Sequence, residues 1–158
     1  MTYTESIHYN SLSMEIKRSV KAGLIFLTWG FLVGMAGPPH LSYLQKEITQ
    51  LLERMASDYS SGNYQGVLSH LDQDFENLDG FKDRLQNEFV NKKELQLKFY
   101  VDNILEDRDL LFVGLHWFKK YRSREGNIVK GKGSSSFIFR KGTTGYKLLF
   151  VRGDNPFF

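Results

Sequence analysis

Two stretches decide the fold: LQLKFYV at residues 95–101 and LFVGLHWFKKY at residues 111–121. In the first, apolar residues alternate with mostly polar ones, a two-residue period that predicts a half-buried strand. In the second, apolar residues occupy both sets of alternating positions. That pattern predicts a central strand covered on both faces.

Further strands and helices flank this pair. Alternation returns at residues 128–139 and 146–152, after turns at 124–127 and 142–145. Before the sheet, apolar residues recur at steps of three or four, which predicts three amphipathic helices. The positions are Leu41, Leu44, Ile48, Leu51, Leu52, Met55 and Tyr59, then Tyr64, Val67, Leu68 and Leu71, then Phe81, Leu85 and Phe89. Helices followed by an antiparallel meander are an α+β arrangement.

The N-terminal region has the layout of a secretory signal. Lys17, Arg18 and Lys21 precede an apolar run at 22–36 that ends in small residues. A helix of this length measures about 22 Å, which is short of the roughly 30 Å hydrocarbon core of a bilayer. We therefore expect a signal peptide at 14–36 that is removed on export, with an uncleaved anchor as the alternative.

Residues 1–13 contain no lysine or arginine and no apolar periodicity, whereas Met14 would open a signal of ordinary length. We interpret 1–13 as an extension upstream of the true start, with Met1 as the other candidate start. The mature part, 37–158, has the size of one domain. The expected localisation is the periplasm or the exterior of a bacterial cell.

Several soft sequence features together resemble the nuclear transport factor 2-like superfamily, over residues 41–158. They are Asp58-Tyr59, Gly62-Asn63-Tyr64, Leu71, Asp74-Phe75, His116-Trp117, Gly126, Gly133, Phe137-Ile138-Phe139-Arg140, Tyr146-Lys147-Leu148 and Gly153-Asp154. The resemblance implies helices closed over a strongly curved antiparallel sheet, a pocket between them, and dimerisation through the sheet. The superfamily includes ketosteroid isomerases, dehydratases and many binding modules, so the fold does not choose the function.

Composition excludes several classes of protein and site. A hydrophobic share of 41% with 25% charged residues indicates a globular chain. Without cysteine there is no disulfide, thiolate nucleophile or Cys-type zinc site. The net charge of +3 is too small to favour nucleic acid as a partner. We expect no metal and no cofactor.

One histidine is placed where it could carry chemistry. His116 stands in the middle of its strand, on the side of Phe112 and Phe118, and Asp102 and Tyr100 lie on the neighbouring strand of the meander. His116 and Asp102 are candidates for a general acid/base pair, with Tyr100 as hydrogen-bond donor. The candidate ligand-binding residues are Tyr100, Phe112, His116 and Phe118. A hydrogen-bonded structural histidine is the alternative.

Three short motifs are incomplete. Residues 126–132 nearly match a phosphate-binding loop, but a strand follows where such a loop needs a helix. Residues 72–83 place acidic side chains near calcium-ligand positions, but Asn77 replaces the required glycine. Residues 152–154 spell Arg-Gly-Asp, a tripeptide too short to carry information. We expect a hairpin turn, an acidic loop and a chance match.

Charge is distributed unevenly along the chain. Residues 41–109 hold eight basic and fourteen acidic residues, a net charge of −6, whereas residues 110–158 hold ten and two, a net charge of +8. Around one hairpin we predict a basic rim that either keeps a sheet edge soluble or meets an anionic surface. Its residues are Lys119, Lys120, Arg122, Arg124, Lys130 and Lys132.

The sequence thus predicts an exported, non-catalytic domain that binds a small apolar or anionic ligand or another protein. One alternative is a small-molecule lyase, isomerase or hydrolase that uses His116 and Asp102. The other is an assembly module of a cell-envelope complex. Expected partners include a second copy of the chain, and membrane contact only through an uncleaved signal segment.

Overall fold

A computed structural model describes residues 39–158, with side chains from residue 42. The predicted extension, the signal peptide and both of its candidate start codons lie outside the described residues. Helix α1 spans Pro39–Ser60, α2 Tyr64–Ser69 and α3 Leu78–Asn91. The strands are β1 at Lys93–Asp107, β2 at Leu110–Arg122, β3 at Ile128–Gly142 and β4 at Gly145–Gly153. No helix among the described residues is long and apolar enough to cross a membrane.

The α+β prediction is confirmed. The four strands form one antiparallel sheet in the order β1-β2-β3-β4, and helical side chains pack on one of its faces. Tyr59, Met55 and Ile48 on α1 are fully buried, as the helical spacing predicts. A turn stabilised by side chains ends α1: Asn63 donates to Asp58 at 2.7 Å and accepts from the Gly66 amide at 3.0 Å, which starts α2.

Strand β2 pairs on both edges, with β1 and with β3. Its side chains at Leu111, Val113, Leu115 and Trp117 are at most 7% exposed and face the helices. The opposite face, which we call the outer face, is not covered: Phe118 is 49% exposed. The expectation of a strand covered on both sides is therefore wrong, because apolar side chains on this outer face remain in contact with solvent.

The C-terminal residues close the core on the helical side. Gly153 has a φ of +84°, and a Cβ there would approach the Ser134 carbonyl oxygen to 2.8 Å, so the turn requires glycine. After this turn Phe157 is fully buried, with ring centroids 5.5 Å from Phe81 and 5.7 Å from Tyr59. The chain end is thus part of the core.

The three incomplete motifs have structural roles. Arg140 binds Asp72 at 3.1 Å and Asp74 at 2.8 Å, so these carboxylates of the acidic loop hold β3. Arg152 binds Glu76 at 2.8 Å, and Gly153 makes the turn already described. Residues 126–132 lead into β3, as expected. Among the described residues, no group of three or more metal-ligating side chains is arranged to hold an ion.

Replacing Phe157 tests the role of the chain end. Because its ring is fully buried among other aromatic rings, we expect Phe157→Ala to lower the free energy of unfolding by about 3–5 kcal/mol. Chemical denaturation measures the change. Ile128→Ala, at a side chain that is 54% exposed, is the control and should cost less than about 0.5 kcal/mol. Equal losses would contradict this role.

Candidate functional site

The predicted histidine pair forms, on the outer face of the sheet. His116 Nδ1 lies 2.8 Å from Asp102 Oδ1. Tyr100 stands opposite His116 in the β1–β2 register, and the two rings stack with centroids 5.0 Å apart. Phe118 packs edge-on against both rings, at 5.9 Å and 6.1 Å. The sequence therefore predicted the correct neighbours.

A β-bulge aims Asp102 at the histidine. The register pairs Val101 with Leu115 and Asn103 with Gly114, so Asp102 is an extra residue without a partner of its own. The Asn103 side chain lies over Gly114, where a Cβ would approach its oxygen to 2.7 Å. Asp102 and Asn103 therefore share the outer face, which strict alternation does not allow.

The location of the pair differs from the pocket that the resemblance implies. The side chains of His116 and Asp102 are 43% and 48% exposed. Phe112 lies on the same outer face, opposite Leu105 and Ile138 in the register. Phe112, His116 and Phe118 therefore do not line a pocket between helices and sheet. They lie on an open surface, where bulk water reaches the imidazole.

The space between helices and sheet holds a buried charged cluster instead. Oε1 of Glu88 accepts hydrogen bonds from Tyr59 at 2.9 Å, from Lys92 at 2.7 Å and from Lys119. Glu88 and Lys119 are 7% and 5% exposed. The Lys119 ammonium also lies 5.4 Å from the centre of the Tyr59 ring and 5.7 Å from that of Tyr121. Lys119, assigned to the basic rim from sequence, is thus an interior residue.

The cluster sets the ionisation of its members. Burial alone would raise the pKa of Glu88, but hydrogen bonds from Lys119 and Lys92 outweigh it and hold the pKa below its ordinary value. Burial lowers the pKa of Lys119, an effect that Glu88 partly opposes. Burial and then the Glu88 charge raise the pKa of Tyr59. The arrangement stabilises an ionised Glu88 at neutral pH.

Sequence reasoning missed Glu88, although a signal existed. Glu88 follows Phe81 and Leu85 on the buried stripe of α3. Lys119 likewise continues the inward-facing alternation of β2, two residues after Trp117. A carboxylate and an ammonium that both fall on core-facing positions predict a buried ion pair.

An open groove separates α1 from the free edge of β1. Its volume is about 580 Å³. Its walls combine apolar side chains with hydroxyl, amide and charged groups. The lining residues are Gln45, Thr49, Leu52, Glu53, Ala56, Ser57, Ser60, Leu97, Lys98, Phe99, Tyr100 and Val101. Tyr100 thus lines the groove on one side and stacks on His116 on the other.

The backbone of β1 presents hydrogen-bonding groups to this groove. The Leu97 amide donates to Ser60 Oγ at 3.1 Å, so it points away from β2. Antiparallel pairing alternates direction along a strand, and Phe99 and Val101 therefore also turn their N–H and C=O groups toward the free edge. No described side chain or backbone group bonds the Phe99 and Val101 amides there. Among residues 39–158, the edge of β1 in this groove is therefore unpaired.

The other basic residues lie at the surface. Lys120, Lys130 and Lys132 are on the outer face, joined by Lys98, which sequence reasoning did not include. Arg122 binds Glu94 at 2.8 Å, and Arg124 lies in the exposed β2–β3 turn.

A second histidine–aspartate pair was not predicted. His70 Nε2 lies 2.8 Å from Asp58 Oδ2 at the end of α2. The Asp58 carboxylate also accepts from Asn63. Asp58 therefore connects the α1–α2 turn with His70, the first residue after α2. The role of this histidine is structural.

Comparison with known proteins gives matches only by structure. No protein-family model matches the chain, and no curated protein matches it. A nuclear transport factor 2-like superfamily protein from Salmonella enterica superposes with a TM-score of 0.63 at 14% identity, covering 73% of this chain and 93% of that one. A conserved protein from Planctomyces limnophilus gives 0.61 at 15% identity, with 73% and 99% coverage.

A third similar structure, from Streptomyces avermitilis, is proposed to be a dehydratase of the same family. It gives a TM-score of 0.59 at 11% identity, covering 68% of this chain and 93% of that one. Such identities establish the architecture and leave the activity open. The chain therefore has the nuclear transport factor 2-like fold, as the sequence resemblance implies.

Removing Glu88 should destabilise the protein strongly. In Glu88→Ala the Lys119 ammonium stays buried without its carboxylate, so we expect a loss of about 3–5 kcal/mol in the free energy of unfolding. Chemical denaturation at neutral pH measures it. Glu94→Ala breaks the exposed pair with Arg122 and is the control, with a much smaller expected loss. A loss in Glu88→Ala no larger than in the control would contradict the cluster's role.

Glu88 should also contribute to acid sensitivity. Its pKa in the folded protein lies below the ordinary 4.5, so its stabilisation is present above pH 4.5 and is lost as the pH falls through the lowered pKa. We expect Glu88→Gln to show a shallower decline of stability with acidification than the wild type. Denaturation curves over the acidic range test this, and parallel declines would contradict it.

Proposed function

We propose that this domain is a non-catalytic binding module that takes an extended polypeptide segment in the groove between α1 and β1. The observation that carries the proposal is the edge of β1 inside that groove, which no described residue pairs beyond Leu97. A peptide that adds as a fifth strand would satisfy the Phe99 and Val101 backbone groups. Its alternate side chains would meet the apolar wall of Leu52 and Ala56 on one side and solvent on the other.

The buried interior supports a binding role over a catalytic one. Large side chains fill the core between helices and sheet, among them Phe137, Phe139 and Phe157, each fully buried. The ionisable groups there bind one another: Lys119 and Lys92 both donate to Glu88. A carboxylate already held by these two ammonium groups and by Tyr59 is a poor base for a substrate.

The lyase, isomerase or hydrolase alternative rests on His116 and Asp102. In this pair His116 would be the base, and Asp102, 2.8 Å away, would orient its imidazole. Against it, both side chains are nearly half exposed on a sheet face rather than enclosed with a substrate. An assembly module of a cell envelope remains compatible with the binding proposal, because strand addition is a mode of protein–protein interaction. Export is proposed on the sequence of 14–36 alone.

A matched pair of tryptophan variants tests the groove. Peptides that bind the full chain are first selected from a displayed library of random sequences. Ser57→Trp places a large ring in the groove, whereas Gln50→Trp introduces the same ring on an exposed part of α1 outside it. We expect Ser57→Trp to weaken the selected peptides at least about tenfold and Gln50→Trp to leave binding unchanged. Equal affinities for both variants would overturn the proposal.

Hydrogen exchange tests the strand-addition mode itself. In the free protein the amides of Phe99 and Val101 should exchange faster than those of Lys98 and Tyr100, which point toward β2. A selected peptide should slow the Phe99 and Val101 amides. Peptide binding without this protection would show that the groove is used without strand pairing. Native mass spectrometry of protein from its own envelope fraction would identify a retained natural partner.

A further inference from the structure

The outer face of the sheet carries a second surface, which shares only Lys98 with the lining of the groove. Lys98, Phe118 and Lys132 lie side by side in one row across β1, β2 and β3. Lys120 and Lys130 lie directly opposite each other in the next row. We call these four lysines with Phe118 the cationic face.

The cationic face is electrostatically unfavourable in the isolated domain. Like charges directly opposite each other on neighbouring strands destabilise a sheet. None of the four lysines forms an ion pair with any residue in the described part of the chain. Glu94 binds Arg122 and attracts Lys120 only from beyond ion-pair distance, and Asp102 binds His116. An external anion would remove the repulsion.

Protection of a sheet edge accounts for only part of this arrangement. Edge lysines discourage strand pairing between molecules. Lys98 stands on the edge strand β1, and Lys130 and Lys132 precede the part of β3 that pairs with β4, which begins at Ser135. Lys120 lies on β2, which is paired with both β1 and β3 at this point. Edge protection therefore does not explain Lys120 or the exposed Phe118 beside these charges.

An exposed aromatic ring lies among the charges. Phe118 is 49% exposed between Lys98 and Lys132, and Ile128, 54% exposed, precedes Lys130 on the same face of β3. Apolar side chains surrounded by lysines on a broad surface are typical of proteins that bind the membrane interface. Because Tyr100 stacks on His116 and Phe118 packs against both rings, the cluster offers fewer free ring faces than a platform for nucleic-acid bases requires.

We propose that the cationic face binds a membrane surface that contains anionic phospholipids. The four lysines contact the headgroup phosphates, and Phe118 enters the boundary between headgroups and acyl chains. Lys98 also lines the groove between α1 and β1, but the other three lysines and Phe118 do not, so failure of the peptide proposal leaves this one standing. The contact places the outer face against the lipid.

The experiment compares the partition of the full chain between vesicles of mixed phosphatidylglycerol and phosphatidylcholine and vesicles of phosphatidylcholine alone. The apolar segment at 22–36 is present in every variant, so the ratio of the two partition coefficients reports the anionic lipid. We expect Lys120→Glu with Lys130→Glu to lower this ratio at least about 25-fold. Lys46→Glu with Lys141→Glu makes the same charge change at exposed lysines away from this face and should change the ratio far less.

Phe118→Ala separates insertion from charge attraction. Its partition into anionic vesicles should fall about tenfold while its salt dependence stays that of the wild type. Equal ratios for the two double variants, or equal wild-type partition into both kinds of vesicle, would overturn the proposal. So would a partition into anionic vesicles that Phe118→Ala leaves unchanged, or tight binding of a single-stranded oligonucleotide with no anionic preference for vesicles.

Discussion

Strand β2 is hydrogen-bonded on both edges, and this pairing commits each of its side chains to one face of the sheet. A shift by one residue would move Leu111, Val113, Leu115 and Trp117 out of the core together. The same alternation carries Lys119 into the core, where Glu88 from α3 binds it. It also carries His116 and Phe118 away from the helices. The interior ion pair and the exposed ring cluster are therefore two results of one register.

This division of side chains between the two faces leaves no open site in the core of residues 39–158, so the surfaces available to partners lie outside it. The core side of the sheet is filled by aromatic rings and by the Glu88 cluster, which satisfies its own charges. The two surfaces to which we assign a role are the edge of β1 and the outer face. Both are suited to partners larger than a metabolite: a polypeptide strand in the first case and a lipid surface in the second. Tyr100, which borders both, is where the two surfaces meet.

Much of the architecture could be predicted from the sequence, because apolar residues repeat about every 3.6 residues on the buried face of a helix and every 2 residues on that of a strand. The contact of His116 with Asp102 and Tyr100 also followed from meander pairing. What alternation could not reveal is which face the helices cover when both sets of positions are apolar, as in β2. Lys119 was misplaced for a related reason: grouping it with nearby lysines in the chain ignored its inward position. The groove depends on the separation of α1 from β1, which no local pattern encodes.

The bulge at Asp102 has a consequence for how this sheet can vary. Since Val101 and Asn103 already face consecutive residues of β2, the inserted residue is accommodated locally and the ladder continues in step on either side. Loss of that one position would leave an ordinary, uninterrupted strand. The carboxylate beside His116 can therefore be gained or discarded through a change of chain length by a single residue, without any rearrangement of the core behind it.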